Sequence, residues 1–185
     1  TAHGATSPFT TDANELNPLL YNLGFGTRRD SVYWKDYEKT PGVYTMLSWS
    51  QNSLNLDTSN DVKTFWTAGR NNELYHNPAD GAYTDNSFPS TPAQIDAYGD
   101  YIVDFLTKNP QIKQAEILNE FNGDNTGCKT GTCYAQVIAG VYPKVKAAHP
   151  TVEVIAGGYG GVPTVANGAG VVWIDDVFAA GGWQY

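Results

Sequence analysis

Asn119 and Glu120 are the residues whose type and position hold the most chemistry. They end an apolar run, Ala115-Glu116-Ile117-Leu118, and are followed by the turn Phe121-Asn122-Gly123-Asp124. Such a run predicts a strand, and a carboxylate at its last position lies at the rim of a sheet. Parallel sheets keep their chemistry at that rim. A carboxylate held there can pass a proton to a bound group and take it back. The competing reading is a solvated surface glutamate, the usual state of this residue type.

The elements that must position Glu120 alternate along the chain. Asp12-Ala13-Asn14-Glu15 reads as a capping box, or the helix starts at Asn17 with Pro18 as its first helical residue. Leu19, Leu20 and Leu23 would be its apolar face, with Gly24 as its stop. A second strand follows from Gly26, and Ser48 to Asn60 predicts a short helix at most. The β-branched and aromatic run Val62 to Thr67 predicts a third strand. Thr91-Pro92 opens a helix whose face is Ile95, Tyr98, Ile102, Phe105 and Leu106. After the strand ending at Glu120, a helix from Tyr134 to His149 should be interrupted at Pro143. Val152 to Ala156 predicts a fifth strand and Val171 to Ala180 a fifth helix. Strands alternating with helices imply an α/β fold built on a parallel sheet.

Leu118-Asn119-Glu120-Phe121-Asn122 resembles the Trp-Asn-Glu-Pro-Asn signature at the end of the fourth strand in clan A glycoside hydrolases. These are retaining enzymes on a (β/α)8 TIM barrel. Leu118 stands for Trp and Phe121 for Pro, and neither change removes a functional group. A second segment, Arg29 to Gly42, resembles the stretch after the second strand of the same clan, as in glycoside hydrolase family 39. A third, Ala68 to Tyr75, resembles the loop after the third strand. The resemblance implies Glu120 as general acid/base and Asn119 as a ligand of the sugar 2-hydroxyl. It implies Arg29 near the nucleophile, Trp34 as a wall of the site, and Asn72 and Tyr75 facing the sugar. Asn122, in the signature, and Tyr159, in the glycine run after the fifth strand, complete the expected substrate contacts. Glu38 reads as structural, holding a turn.

The resemblance implies one catalytic-type domain over residues 1–185, covering roughly strands 1 to 5 and incomplete at its C-terminal end and at its N-terminal end. A complete barrel takes about 250 residues, and the chain has 185. The remaining segment of the barrel is therefore an expected partner, beside the carbohydrate substrate. The clan's nucleophile is a Glu on the seventh strand. None of Glu73, Glu116, Asp175 and Asp176 fits that pattern, so no nucleophile is assigned. Two other function classes stay open. One is a non-catalytic carbohydrate-binding module, or an inactive fragment of a glycosidase. The other is a nucleotide-binding domain using Gly157 to Gly161, whose glycines lack the spacing of a phosphate loop.

Composition narrows the partners. A formal charge of -8 with scattered Lys and Arg gives no basic stripe, which argues against nucleic acid. No apolar run is long enough to span a membrane. Charged residues are only 16%, while aromatic, amide and hydroxyl side chains are abundant. That mixture suits a carbohydrate-facing surface and a secreted, extracellular or periplasmic protein in mature form. Cys128 and Cys133 close a small loop, for which a disulfide is expected over two reduced thiols. The His residues show no ligand spacing, so neither a metal nor a cofactor is expected.

Overall fold

The computed structural model describes residues 2–3, 12–69, 71–84, 87–121, 126–127, 130–158, 160 and 169–185. Five strands form the main sheet: β1 (Ala2–His3), β2 (Thr27–Val32), β3 (Lys63–Ala68), β4 (Gln114–Asn119) and β5 (Glu153–Gly158). Each is followed by a helix: α1 (Ala13–Asn22), α2 (Ser48–Ser59), α3 (Pro92–Lys108), α4 (Gly131–Ala148) and α5 (Ala169–Ala179). The strands lie side by side in chain order, and every pair is parallel. A doubly wound sheet reverses its strand order at a switch point. This sheet does not reverse, so it winds in one direction, as a barrel does. It corresponds to roughly the first five strands of a (β/α)8 barrel.

The core lies between the sheet and the helices. Trp66 of β3 is fully buried and stacks on Phe105 of α3, ring centroids 4.0 Å apart. Around them pack Tyr37, Tyr98, Tyr101, Ile102 and Ile117, all fully buried. Tyr98 and Tyr101 belong to the helix face read from the sequence, but they do more than fill space. The Tyr101 hydroxyl donates to Val32 O of β2 and accepts from Gly69 N–H beyond β3 (3.2 Å). The Tyr98 hydroxyl donates to Ala68 O (3.2 Å). On α4, the Tyr134 hydroxyl donates to Ile117 O of β4 (3.1 Å) and accepts from Gly157 N–H of β5 (2.5 Å). Phenols from the helices thus bridge neighbouring strands near their C-terminal ends, where buried backbone groups need partners.

Three element expectations are corrected. α2 is a 12-residue helix, not a short one. Its hold is polar: Asp57, fully buried, accepts from Arg28 Nε (2.8 Å), Thr64 Oγ1 (2.8 Å) and Tyr21 (2.6 Å). A buried charge of this kind stands only when paired. α1 begins after Asp12, whose side chain accepts from Asn14 N–H (2.8 Å). Leu19 and Leu23 are exposed, at 59% and 74%, and the buried contact of α1 is Asn17 against Ser53 of α2 (3.1 Å). α4 runs unbroken through Pro143, which lies on its exposed side. Within the long loop from His76 to Pro89, Pro78–Asp80 form a 3-10 turn and Ser87–Phe88 a short strand.

Candidate active site at the C-terminal rim of the sheet

Strand alternation separates two neighbouring arginines. Arg28 of β2 faces the helices and meets Asp57. Arg29 faces the other side of the sheet, where Thr67 of β3 and Glu116 of β4 also stand, paired in register. Glu116 is 4% exposed, and each of its oxygens is occupied. Oε2 accepts from Arg29 Nε (2.9 Å) and Nη2 (2.6 Å) and from Thr67 Oγ1 (2.5 Å), while Oε1 accepts from Gly158 N–H (2.9 Å). Arg29 Nη2 also donates to Asn119 Oδ1 (2.6 Å). The chain Glu116–Arg29–Asn119 therefore fixes the amide of Asn119 from below and sets which of its atoms is the oxygen.

The strand end itself is bent. Leu118 and Glu120 have φ of 64° and 50°, in the left-handed region that side-chain-bearing residues rarely adopt. The pairing of β4 with β5 passes from Ile117↔Ala156 to Asn119↔Gly158 across this bend. Glu120 N–H is then held by Gly158 O at 2.7 Å. Gly157 lies so close that a Cβ there would stand 2.5 Å from Leu118 O and 2.7 Å from Ile117 O. Leu118 is fully buried, and Glu120 emerges exposed at the rim. Phe121, which stands where the clan signature has Pro, is buried and stacks on Phe88 with centroids 4.6 Å apart. It anchors the chain directly after Glu120.

The residues expected to face a sugar separate into two groups. Arg29 and Asn119 are joined at the rim, next to Glu120. Trp34 and Asn72 are corrected to framework residues, since they are 0% and 2% exposed. Trp34 packs against Tyr75, Tyr98 and Tyr101, and its Nε1 donates to Glu38. Asn72 Nδ2 donates to Glu38 O (2.7 Å). Tyr75 is half-buried, and its hydroxyl donates to Glu38 Oε1 (2.5 Å). Burial, and then the Glu38 carboxylate, push the Tyr75 phenol up to about 12. Glu38 is fully buried and also accepts from Gly42 N–H (2.6 Å), which ties down the turn after it. Asn122, Tyr159 and Cys128 lie outside the described residues, and Cys133 is not a free thiol.

Glu116 and Thr67 were not among the expected site residues. A signal for Glu116 was available: a lone carboxylate inside an apolar strand must find a cation. Among the described residues no group of His, Cys, Asp and Glu is arranged to hold a metal ion.

A singly wound parallel sheet with a helix after each strand is the arrangement of a (β/α)8 barrel, the fold that the clan A glycosidases also have. Solved structures of that clan are what the chain is similar to. A family 39 glycoside hydrolase from the gut symbiont Bacteroides cellulosilyticus WH2 superposes with a TM-score of 0.74 at 19% identity, over 99% of this chain and 35% of its own. The catalytic domain of GH30 xylanase C from Talaromyces cellulolyticus gives 0.63 at 18% identity, over 98% and 47%. Endoglucanase Cel5A from Thermotoga maritima gives 0.58 at 15% identity, over 89% and 54%. The chain thus spans about a third to a half of the length of these proteins. No protein-family model and no curated protein matches its sequence.

Proposed function

We propose that this chain forms the acid/base half of a retaining β-glycosidase that cleaves a β-linked poly- or oligosaccharide. The observation that supports it best is the bent end of β4. There an exposed Glu120 stands beside an Asn119 whose oxygen is committed to Arg29. That commitment turns the Asn119 amide N–H groups toward a sugar hydroxyl. Glu120 protonates the leaving glycosidic oxygen, then takes a proton from the water that resolves the glycosyl-enzyme. The attacking carboxylate must stand about 5 Å from Glu120. Glu116 is not assigned that role, because Arg29, Thr67 and Gly158 N–H occupy its oxygens. The remaining strands of the barrel, in a further segment, supply the nucleophile. A secreted or periplasmic setting and a Cys128–Cys133 disulfide belong to the same reading.

The test is Glu120→Gln, assayed in the chain and in the chain joined to the remaining barrel segment. Turnover of unactivated β-linked polysaccharides falls about 10²–10⁴-fold, while aryl β-glycosides with good leaving groups are cleaved more nearly normally in the first step. Unchanged turnover of the unactivated substrates overturns the assignment. A folded protein that binds β-linked sugars yet hydrolyses none in either form favours the non-catalytic module.

A further inference from the structure

The aromatic wall expected from Trp34 is absent from the rim, because Trp34 is buried on the helix side. Its neighbour Tyr33 is 47% exposed. Tyr33 has extended backbone, φ -74° and ψ 135°, so it continues the alternation of β2 by one step. Arg29, Ser31 and Tyr33 then share the face opposite the helices, while Val32, 5% exposed, stays in the core. The register continues with it: Ser31 pairs with Thr67 and Val32 with Ala68, which sets Tyr33 beside Gly69.

Gly69 is shaped to receive that ring. A Cβ on Gly69 would stand 2.6 Å from Tyr33 Cα, 2.7 Å from its ring carbon Cδ1 and 2.9 Å from Val32 O. Only a glycine leaves room for the Tyr33 backbone and ring to come this close to the end of β3. Below it lie Arg29, Thr67 and Glu116, and beside that layer stand Asn119 and Glu120. An exposed ring, seated on backbone one strand-layer above a polar floor, offers a flat apolar face at the mouth where a chain of sugars would lie.

We infer that Tyr33 is a substrate-positioning residue of this rim: its ring stacks on a pyranose unit of a β-linked glycan whose scissile bond lies at Glu120. The inference rests on the proposed glycosidase reading. It goes beyond it by naming the contact that binds sugar without taking part in proton transfer. Apolar C–H faces of pyranoses match the electron-rich face of a phenol ring, and hydroxyls at the ring edge are left to Asn119.

The experiment separates the two claims by measuring binding rather than turnover. Glu120→Gln is titrated calorimetrically with β-1,4-linked hexasaccharides of glucose, xylose and mannose. Adding Tyr33→Ala is expected to weaken the binding of the preferred sugar about tenfold or more, whereas Tyr33→Phe stays within about twofold. Gly69→Ala, whose Cβ would press on the Tyr33 backbone as well as on its ring, should weaken binding in the same direction and also lower the melting temperature. Thermal melting of Tyr33→Ala should match the parent, since the side chain is half in solvent. Equal binding by Tyr33→Ala and the parent overturns the inference, as does a loss in Tyr33→Phe as large as in Tyr33→Ala. No binding of any of the three sugars by the parent overturns it too. The glycosidase reading fails separately, when Glu120→Gln leaves turnover unchanged.

Discussion

At the scale of the residue, the rim uses two carboxylates four positions apart for opposite purposes. Glu116 is buried with its oxygens saturated, and Glu120 is exposed on bent backbone. Removing Glu116 takes from the Arg29 guanidinium a carboxylate that it meets at 2.6 Å in a site only 17% exposed. Glu116→Ala should therefore cost about 3 kcal/mol in urea denaturation and release Asn119. Glu120→Gln should change stability by less than about 0.5 kcal/mol, because it alters an exposed head group and keeps its shape. Equal losses for the two would contradict this division of labour. The strand-end places of Glu120 and Asn119 and the place of Arg29 on β2 were legible because the strand period fixes them, while the roles expected of them come from the resembled motif. Trp34 and Asn72 were misread because a motif carries residue identity but not depth. Both follow the rim strands in sequence, yet both turn inward to hold Glu38, a turn set by tertiary packing and not by sequence period.

At the scale of the element, the helix and strand order was readable wherever apolar periodicity set the packing. α3 has such a face, with Thr91 and Gln94 forming a full capping box at its start. α2 has none, and its 12 residues stand because buried Asp57 meets Arg28, Tyr21 and Thr64 from three other elements. Pairing across such distances leaves no periodic trace, so the helix was under-read. Two changes test how tightly the elements are joined. Gly157→Ala would force a Cβ against the carbonyls of Ile117 and Leu118 and should cost about 1–3 kcal/mol. Glu120 would move with it, because Gly158 O holds its N–H, and any activity that depends on Glu120 should fall further than stability explains. Asp61, exposed with φ 55° just after α2, is the opposite case. Asp61→Gly relieves the left-handed strain and should raise stability by about 0.5–1 kcal/mol in the same denaturation experiment.

At the scale of the whole molecule, tyrosines are the fasteners between sheet and helices, and they make the fold sensitive to alkali. Burial pushes up the phenols of Tyr37, Tyr98, Tyr101 and Tyr134, and also those of Tyr21, Tyr44 and Tyr75. In the unfolded chain a phenol titrates near pH 10. Above that pH the unfolded chain has lost protons that the folded chain keeps, so it binds fewer protons and stability falls as pH rises. The stabilisation is complete below about pH 10 and is lost as pH climbs through the raised folded values, the lowest of these being about 12 at Tyr75. Ionised Tyr101 and Tyr134 would also stop donating to Val32 O and Ile117 O, which unfastens β2 from β3 and β4 from β5. The net charge of -8 at pH 7 grows more negative as lysines discharge, adding repulsion that salt can screen. The two causes are separable. The share of tyrosinate absorbance that belongs to the buried phenols and the far-ultraviolet circular dichroism, followed together through an alkaline titration, should change in one cooperative step that persists at high salt. Phenols of the core that ionise gradually while the dichroism stays native would show that the tyrosines do not fasten the sheet. A step abolished by salt would assign the unfolding to net charge instead.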